Sequence, residues 1–247
     1  MGLSTMRGFI RSLWGDVSNL RNGKIAKEIS SVKKKDWFTV YVFGKENEKW
    51  LKEIGYRTVL VHEDPCVWDF ETRMYRHKLE AFRAAADDFD EFVFLDWDCV
   101  PVKELGSTWD DLNKKESFQA NLFQYRTKKC LWRDKDTRKV CNGGFIYIRD
   151  KLIPDKLISN YDSLCDWVKK QKKSRESRGL SLRLREKSLI FDDEPSMSKY
   201  IDDYCGGWQG EEHYWKHFEP SVCNLRKKSV FSKERTESKD CKFVHNL

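Results

Sequence analysis

Asp96 and Asp98, in the stretch FVFLDWDCVPV at 92–102, are the residues best suited to chemistry. Four apolar residues, Phe92 to Leu95, precede them, so two carboxylates close a strand that reads as buried. Side chains two apart on a strand project to the same side. Two acids held that way repel each other, and at a cleft they call for a cation. A hard divalent ion such as Mg²⁺ or Mn²⁺ takes carboxylate oxygens and keeps positions open for substrate phosphates. The bland alternative is a pair of loop acids before Pro101.

Three further groups have chemistry to offer. Asn142-Gly143-Gly144 precedes the apolar FIYI; paired glycines let a ligand ring approach the backbone, or else form a turn. Asp192, Asp193 and Glu194 stand before Pro195. Such acids serve as bases or charge stabilisers, or complement a helix N-terminus. His217 in EEHYWKHFEP and His245 in KFVHNL are imidazoles that suit Mn²⁺ better than Mg²⁺, or are surface histidines.

The elements that must position these groups are readable. WFTVYVFG (37–44) and RTVLVHED (57–64) are strands, with a helix over 46–56 between them that stops at Gly55. Residues 72–89 form a long helix whose apolar stripe is Leu79, Phe82, Ala86 and Phe89. FVFLDWD is the third strand. Alternation of strands and helices predicts an α/β sandwich with a largely parallel sheet, and ligands gather beyond the carboxyl ends of such strands. We expect a single domain over 1–247, with an N-terminal extension at 1–35 and a basic insertion or arm near 160–190.

Composition narrows the class. Aromatic residues make up 14% of the 247 positions, ten of them tryptophan, which supports a packed core despite 35% charged residues. No apolar run has the length of a membrane span, and the N-terminus lacks an apolar stretch of signal-peptide length. Eight cysteines form no C-x-x-C pair, and they read as reduced thiols of a cytoplasmic protein. Residues 169–187 carry nine basic and two acidic side chains, a net charge equal to the +7 of the whole chain. That block is either a solvated face or an arm that meets phosphates through Lys172, Lys173 and Arg175, with Trp167 close by for stacking.

The segment YRHKLEAFRAAADDFDEFVFLDWDCVPVKEL resembles the helix–strand–DXD segment of nucleotide-sugar glycosyltransferases of the GT-A fold. VYVFGKENEKWLKEIGYRTVLV is similar to their nucleotide-binding strand, with Val42 and Phe43 at its end, and to the helix and strand that follow. VCNGGFIYIR resembles the strand that lines the donor sugar, LIFDDEPSMSKYID the acid-bearing segment, and KFVHNL the late histidine of the metal site.

The resemblance implies a Rossmann-type sandwich and a retaining hexosyl transfer from a UDP-sugar such as UDP-glucose. It implies a metal on Asp98 and His245, with His217 as the rival, and Asp96 in support. Lys78 and Arg76 would reach the pyrophosphate, and Asn142, Gly143 and Gly144 the sugar. One of Asp192, Asp193 and Glu194 would orient the donor or stabilise positive charge.

For the acceptor, the basic block favours a polyanion. A hydroxymethylated base in DNA, in a bacterial or virus-infected cell, fits it. A glycan or a lipid-linked envelope acceptor is the alternative. A haloacid-dehalogenase-type phosphatase also ends a strand in D-x-D, but on its first strand. A non-catalytic nucleic-acid-binding protein explains the basic block alone.

Overall fold

Strand β1 (Arg7–Leu13) lies in the middle of the main sheet, which corrects the expectation of an N-terminal extension. It pairs in parallel with β2 (Phe38–Phe43) on one side and β4 (Glu91–Leu95) on the other. The structure, a computed structural model, describes residues 5–69, 73–101, 109, 112, 117–124, 139–176, 193–204, 215–217, 223–226 and 243–246. With β3 (Arg57–His62), β6 (Phe118–Gln124), β7 (Lys139–Ile148) and β8 (Trp215–His217), these strands form a seven-stranded sheet in the order β3-β2-β1-β4-β7-β6-β8. Only β7 runs against its neighbours, so the sheet is mostly parallel, as expected. A second, three-stranded sheet joins β5 (Cys99–Pro101), β10 (Phe243–Asn246) and β9 (Cys223–Arg226), in the order β5-β10-β9.

Helices cover both faces. On one face α4 (Arg76–Asp88), α5 (Ile153–Glu176) and α6 (Asp193–Tyr204) bury Leu79, Phe82, Leu157, Tyr161, Met197 and Ile201 against Phe92, Phe94, Phe118 and Ile146. On the other, α1 (Val17–Asn22), α2 (Lys24–Ser31) and α3 (Lys45–Glu53) pack Ile29, Trp50 and Leu51 onto Leu13, Val40 and Val42. Burial of each such side chain contributes about 1.5–3 kcal/mol. The strand pattern of β4 follows from this layering. Phe92 and Phe94 face α4, and Val93 and Leu95 face the other side.

The end of the sheet away from the acids has its own polar anchor. Glu91, buried at the start of β4, accepts hydrogen bonds from Arg7 of β1 and Tyr147 of β7. Burial and the Glu91 carboxylate raise the Tyr147 phenol above its ordinary range. One carboxylate thus ties three adjacent strands in register.

At the opposite end, the carboxyl ends of β1 and β2 are held by Asn47 in α3. Its buried Nδ2 donates to Gly15 O and to Phe43 O, each at 2.8 Å. Gly44 between β2 and α3 has φ +95°, where a side chain is strained, and an added Cβ would lie 2.8 Å from Pro65 Cβ. Gly44→Ala is expected to cost about 2–3 kcal/mol of stability. Urea unfolding measures this, and a loss below about 0.5 kcal/mol would mean that the Pro65 loop yields freely.

Candidate active site

Strand β4 stops at Leu95, one residue before the first acid. The four residues Asp96–Cys99 form a turn closed by the Cys99 N–H donating to Asp96 O at 2.9 Å. The two-residue strand period therefore does not relate Asp96 to Asp98, and the same-side expectation is corrected. Asp96 continues the β4 alternation toward α4, where Lys78 Nζ lies 3.2 Å from its Oδ2. Trp97 turns to the opposite face, where its ring packs edge-on against Tyr56 at 5.7 Å and its Nε1–H donates to Ser12 O at 2.8 Å.

Beneath the turn lies Arg11 of β1, fully buried. Its Nη1 donates to Asp96 O at 2.7 Å and its Nη2 to Cys99 O at 3.0 Å. The guanidinium lies over the rings of Phe38 and Trp97, 4.6 Å and 4.9 Å from their centroids. Burial lowers its pKa, while Cys99, Tyr56, Asp96 and Asp98 act the other way. Sequence reasoning missed Arg11 because RGFIRSL breaks an apolar run with arginine and serine, and arginine is almost never fully buried.

The other expected residues are distributed as follows. Lys78, buried on α4, meets Asp96, and its ammonium lies 4.8 Å from the Phe94 ring centroid. Arg76 is bound to Glu80 and to Asp162 of α5, in a helix–helix ion network. Val42 is fully buried under α3, which makes its side chain core and not a donor contact. Phe43 is buried beside Trp68 and His77.

Asn142, Gly143 and Gly144 lie within β7 and not in a turn ahead of it. The pairing of β6 with β7 jumps between Ala120↔Ile146 and Asn121↔Asn142, so the glycines leave that ladder. Gly144 O instead accepts the Asp96 N–H at 2.9 Å. The N-G-G segment and the acidic turn are therefore direct neighbours.

His245 is on β10, antiparallel to β5, in register with Cys99. Its backbone thus stands opposite the residue next to Asp98. His217 is on β8 and pairs with Ala120, three strands from β4, which is about 14 Å at the usual strand spacing. The two histidines thus lie in different sheets. Among the described residues no group of three or more His, Cys, Asp or Glu side chains comes together as a metal site; Asp96, Asp98 and His245 are residue types that suit a divalent ion of the Mn²⁺ or Mg²⁺ type.

Asp193 and Glu194 begin α6, and Asp192 lies outside the described residues. Ser198 Oγ accepts the Cys141 N–H at 3.0 Å, next to Asn142, while Tyr200 packs on Phe118 at the other end of the sheet. The start of α6 therefore points to the end that carries the acidic turn.

Lys172, Lys173 and Arg175, expected in an insertion or arm, belong to the last turns of the 24-residue helix α5. Its buried stripe of Ile153, Leu157, Tyr161, Leu164, Cys165 and Val168 ends where the basic run begins. Asp162 and Asp166 bind Arg73 just ahead of α4, so the basic turns continue beyond the same end of the sheet. Residues 177–190 lie outside the described set.

The galactosyltransferase LgtC, in complex with donor and acceptor sugar analogues, aligns with 98% of this chain and 87% of its own, at 12% identity and TM-score 0.55. Mouse xyloside xylosyltransferase 1 aligns over 97% of both chains, at 9% identity and TM-score 0.50. The fold is that of the GT-A glycosyltransferases. The bifunctional glycosyltransferase WbbM aligns with 98% of this chain at 13% identity and TM-score 0.50. The chain spans 46% of the length of WbbM, and 46% of the glycosyltransferase GlyE of Streptococcus pneumoniae. No protein-family model matches the sequence, and no curated protein matches it. Among the described residues no helix is long and apolar enough to cross a membrane.

In a GT-A sheet the carboxyl ends of the first strands face the ligand side, and here an aromatic group stands there. Trp14 stacks on His77 at 5.8 Å, and Phe43 and Trp68 meet the same imidazole edge-on at 5.0 Å and 4.9 Å. His77 Nδ1 lies 2.7 Å from Met74 O, which makes it the protonated nitrogen. Burial lowers the His77 pKa, with the Met74 carbonyl acting the other way.

Because the folded value lies below the unfolded one of about 6.5, the unfolded chain binds the proton first as pH falls. Stability is therefore full above about pH 6.5 and declines below it. His77→Gln is expected to be less stable at pH 7 but to lack this part of the acid sensitivity. Urea midpoints of both proteins at pH 7, 6 and 5 test it, and a gap that stays constant with pH would contradict the buried neutral imidazole.

Proposed function

We propose that this chain is a metal-dependent glycosyltransferase that moves a sugar from a UDP-sugar, of the UDP-glucose type, to an acceptor hydroxyl with retention of configuration. The observation that carries this reading is the register of β5 with β10, which sets His245 opposite Cys99, beside Asp98. The GT-A fold supports it, and so does the contact of Gly144 with Asp96. A phosphatase would carry its D-x-D on the first strand, whereas this turn follows β4.

In this reading Asp98 and His245 would hold the cation, and Asp96, already paired with Lys78, would support them from the α4 side. The chemistry that a bound Mn²⁺ or Mg²⁺ supplies is neutralisation of charge on the departing diphosphate. Gly143 and Gly144 give the sugar ring room beside the backbone, with Asn142 as its hydrogen-bonding neighbour. Asp193 or Glu194, at the start of α6, stabilises the positive charge that develops at the anomeric carbon, as Asp192 would if it joins them.

Asp98→Asn is expected to lower transfer about a hundredfold or more while the protein stays folded, and chelation of wild-type protein to do the same. NMR of the first-formed product follows the anomer in the same assay. Undiminished transfer by chelator-treated Asp98→Asn would end the metal reading, and an inverted product would make an acid of α6 a general base instead.

For the acceptor we favour a hydroxymethylated base in DNA. The basic turns of α5 run beyond the sheet end that carries the acidic turn, and Trp167 beside them is 37% exposed. Cationic side chains and an exposed ring suit phosphates and unstacked bases. A cytoplasmic setting accords with this acceptor. Charge reversal at Lys172, Lys173 and Arg175 together should cut transfer to modified DNA about tenfold or more at moderate salt. It should also reduce the logarithmic salt slope by about 3, with donor hydrolysis retained. Unchanged transfer to the true acceptor would reduce this helix end to a solvated surface.

A further inference from the structure

We propose that Arg11 is the positioning residue of the acidic turn: without touching metal or donor, it fixes the Asp96–Cys99 backbone and thereby sets the affinity for a divalent cation. The inference rests on the metal-dependent reading above, and it goes beyond that reading to a residue on another strand.

Three features carry it. First, Arg11 binds both ends of the turn. Asp96 O accepts from Arg11 Nη1 and from the Cys99 N–H, and Cys99 O accepts from Arg11 Nη2. Asp98 lies between those two anchored residues, so its backbone inherits their geometry. A planar guanidinium presents two parallel donors, and an ammonium does not.

Second, the guanidinium cannot drift. The rings of Phe38 and Trp97 both pack against it, and Trp97 is itself fastened to Ser12 O of β1. The next residue of the strand thus holds the ring that covers Arg11. The turn, its clamp and the clamp's cover all originate on the middle strand of the sheet.

Third, the arrangement is costly unless it is used. Arg11 is 0% exposed, and its Nε has no acceptor among the described residues. A buried cation that meets carbonyl oxygens loses hydration without the recovery that a direct carboxylate partner gives. A hydrophobic residue would pack at this strand position with less loss. What the arginine adds is a forked donor for one turn.

The test uses Arg11→Met, Arg11→Lys and Trp97→Phe in the full chain, with folding checked by circular dichroism and thermal unfolding. Two readouts are followed: Mn²⁺ affinity, titrated with the metal alone, and hydrogen exchange at the Cys99 amide. Residues that support metal ligands from behind typically change affinity by about 10–100-fold. Arg11→Met should weaken Mn²⁺ binding about tenfold or more in the folded protein and deprotect the Cys99 amide. Arg11→Lys should recover stability but little of the affinity. Trp97→Phe, which keeps a ring over Arg11 and removes the tie to Ser12, should weaken binding by a few-fold.

A merely structural arginine would lower the melting temperature and leave the affinity of the folded protein unchanged; that result in Arg11→Met overturns the proposal. If Arg11→Met does not fold, Trp97→Phe decides, and wild-type affinity with a protected Cys99 amide overturns it. Wild-type protein that binds no Mn²⁺ would instead sink the metal reading, and Cys99 exchange in the variants would then decide the positioning role alone.

Discussion

The burial of one guanidinium under one turn organises this molecule. Arg11 has no way to keep its charge in the interior except to have oxygens brought to it, and the carbonyls of Asp96 and Cys99 are the oxygens that come. For that, β4 must stop at Leu95, the chain must fold back over β1, and Trp97 must go down while Asp96 goes up. The direction of β5 follows from the turn, and the small sheet with β9 and β10 is built on β5. The acids of the D-x-D stretch are thus the half-buried outer side of a turn whose inner side satisfies a cation. The opposite end of the same strands uses the inverse arrangement, a buried carboxylate holding Arg7 and Tyr147.

Much of the parallel half was legible in the sequence. β2, α3, β3, α4 and β4 were readable from apolar strand runs and helical spacing, with Gly44 and Gly55 marking ends among the first three. β7 was readable from FIYI, but its start was not. Two glycines look like a turn, yet here they let the strand leave β6 and stay with β4.

β1 was hidden by its function. A strand in the middle of a sheet normally reads as continuous apolar sequence, and Arg11 and Ser12 interrupt it just where it serves the turn. The helical start of the basic block was hidden for a related reason. Lysine and arginine are good helix formers, so charge density alone does not separate a helix end from a loop. The stripe from Ile153 to Val168 was the signal that a helix leads into it.

For the candidate site, residue types were legible and relations were not. Nothing in KFVHNL says that it pairs with CVP, because register between distant strands is a property of the folded sheet. Lys78 was expected near a phosphate and meets Asp96 instead, since a helix packed on β4 brings its buried lysine to the nearest carboxylate. Local periodicity orients side chains within one element. The partner across elements depends on crossover connections that leave no local mark.

The pairing of His245 with Cys99 has a consequence for the order in which the molecule is made. The two positions are about 146 residues apart, so their contact closes a very long loop. Contacts of that kind bring their reward only after the intervening chain has been arranged, and they form late. The seven-stranded sheet, with its shorter-range parallel pairs, can form before the three-stranded one. The small sheet then rests on three residues of β5 and four each of β9 and β10, which gives it little stability of its own. A ligand held between β5 and β10 would therefore act as part of the fold. It would shift the closing equilibrium of the small sheet by its own binding free energy, so that the last step of folding and the first step of binding become one event.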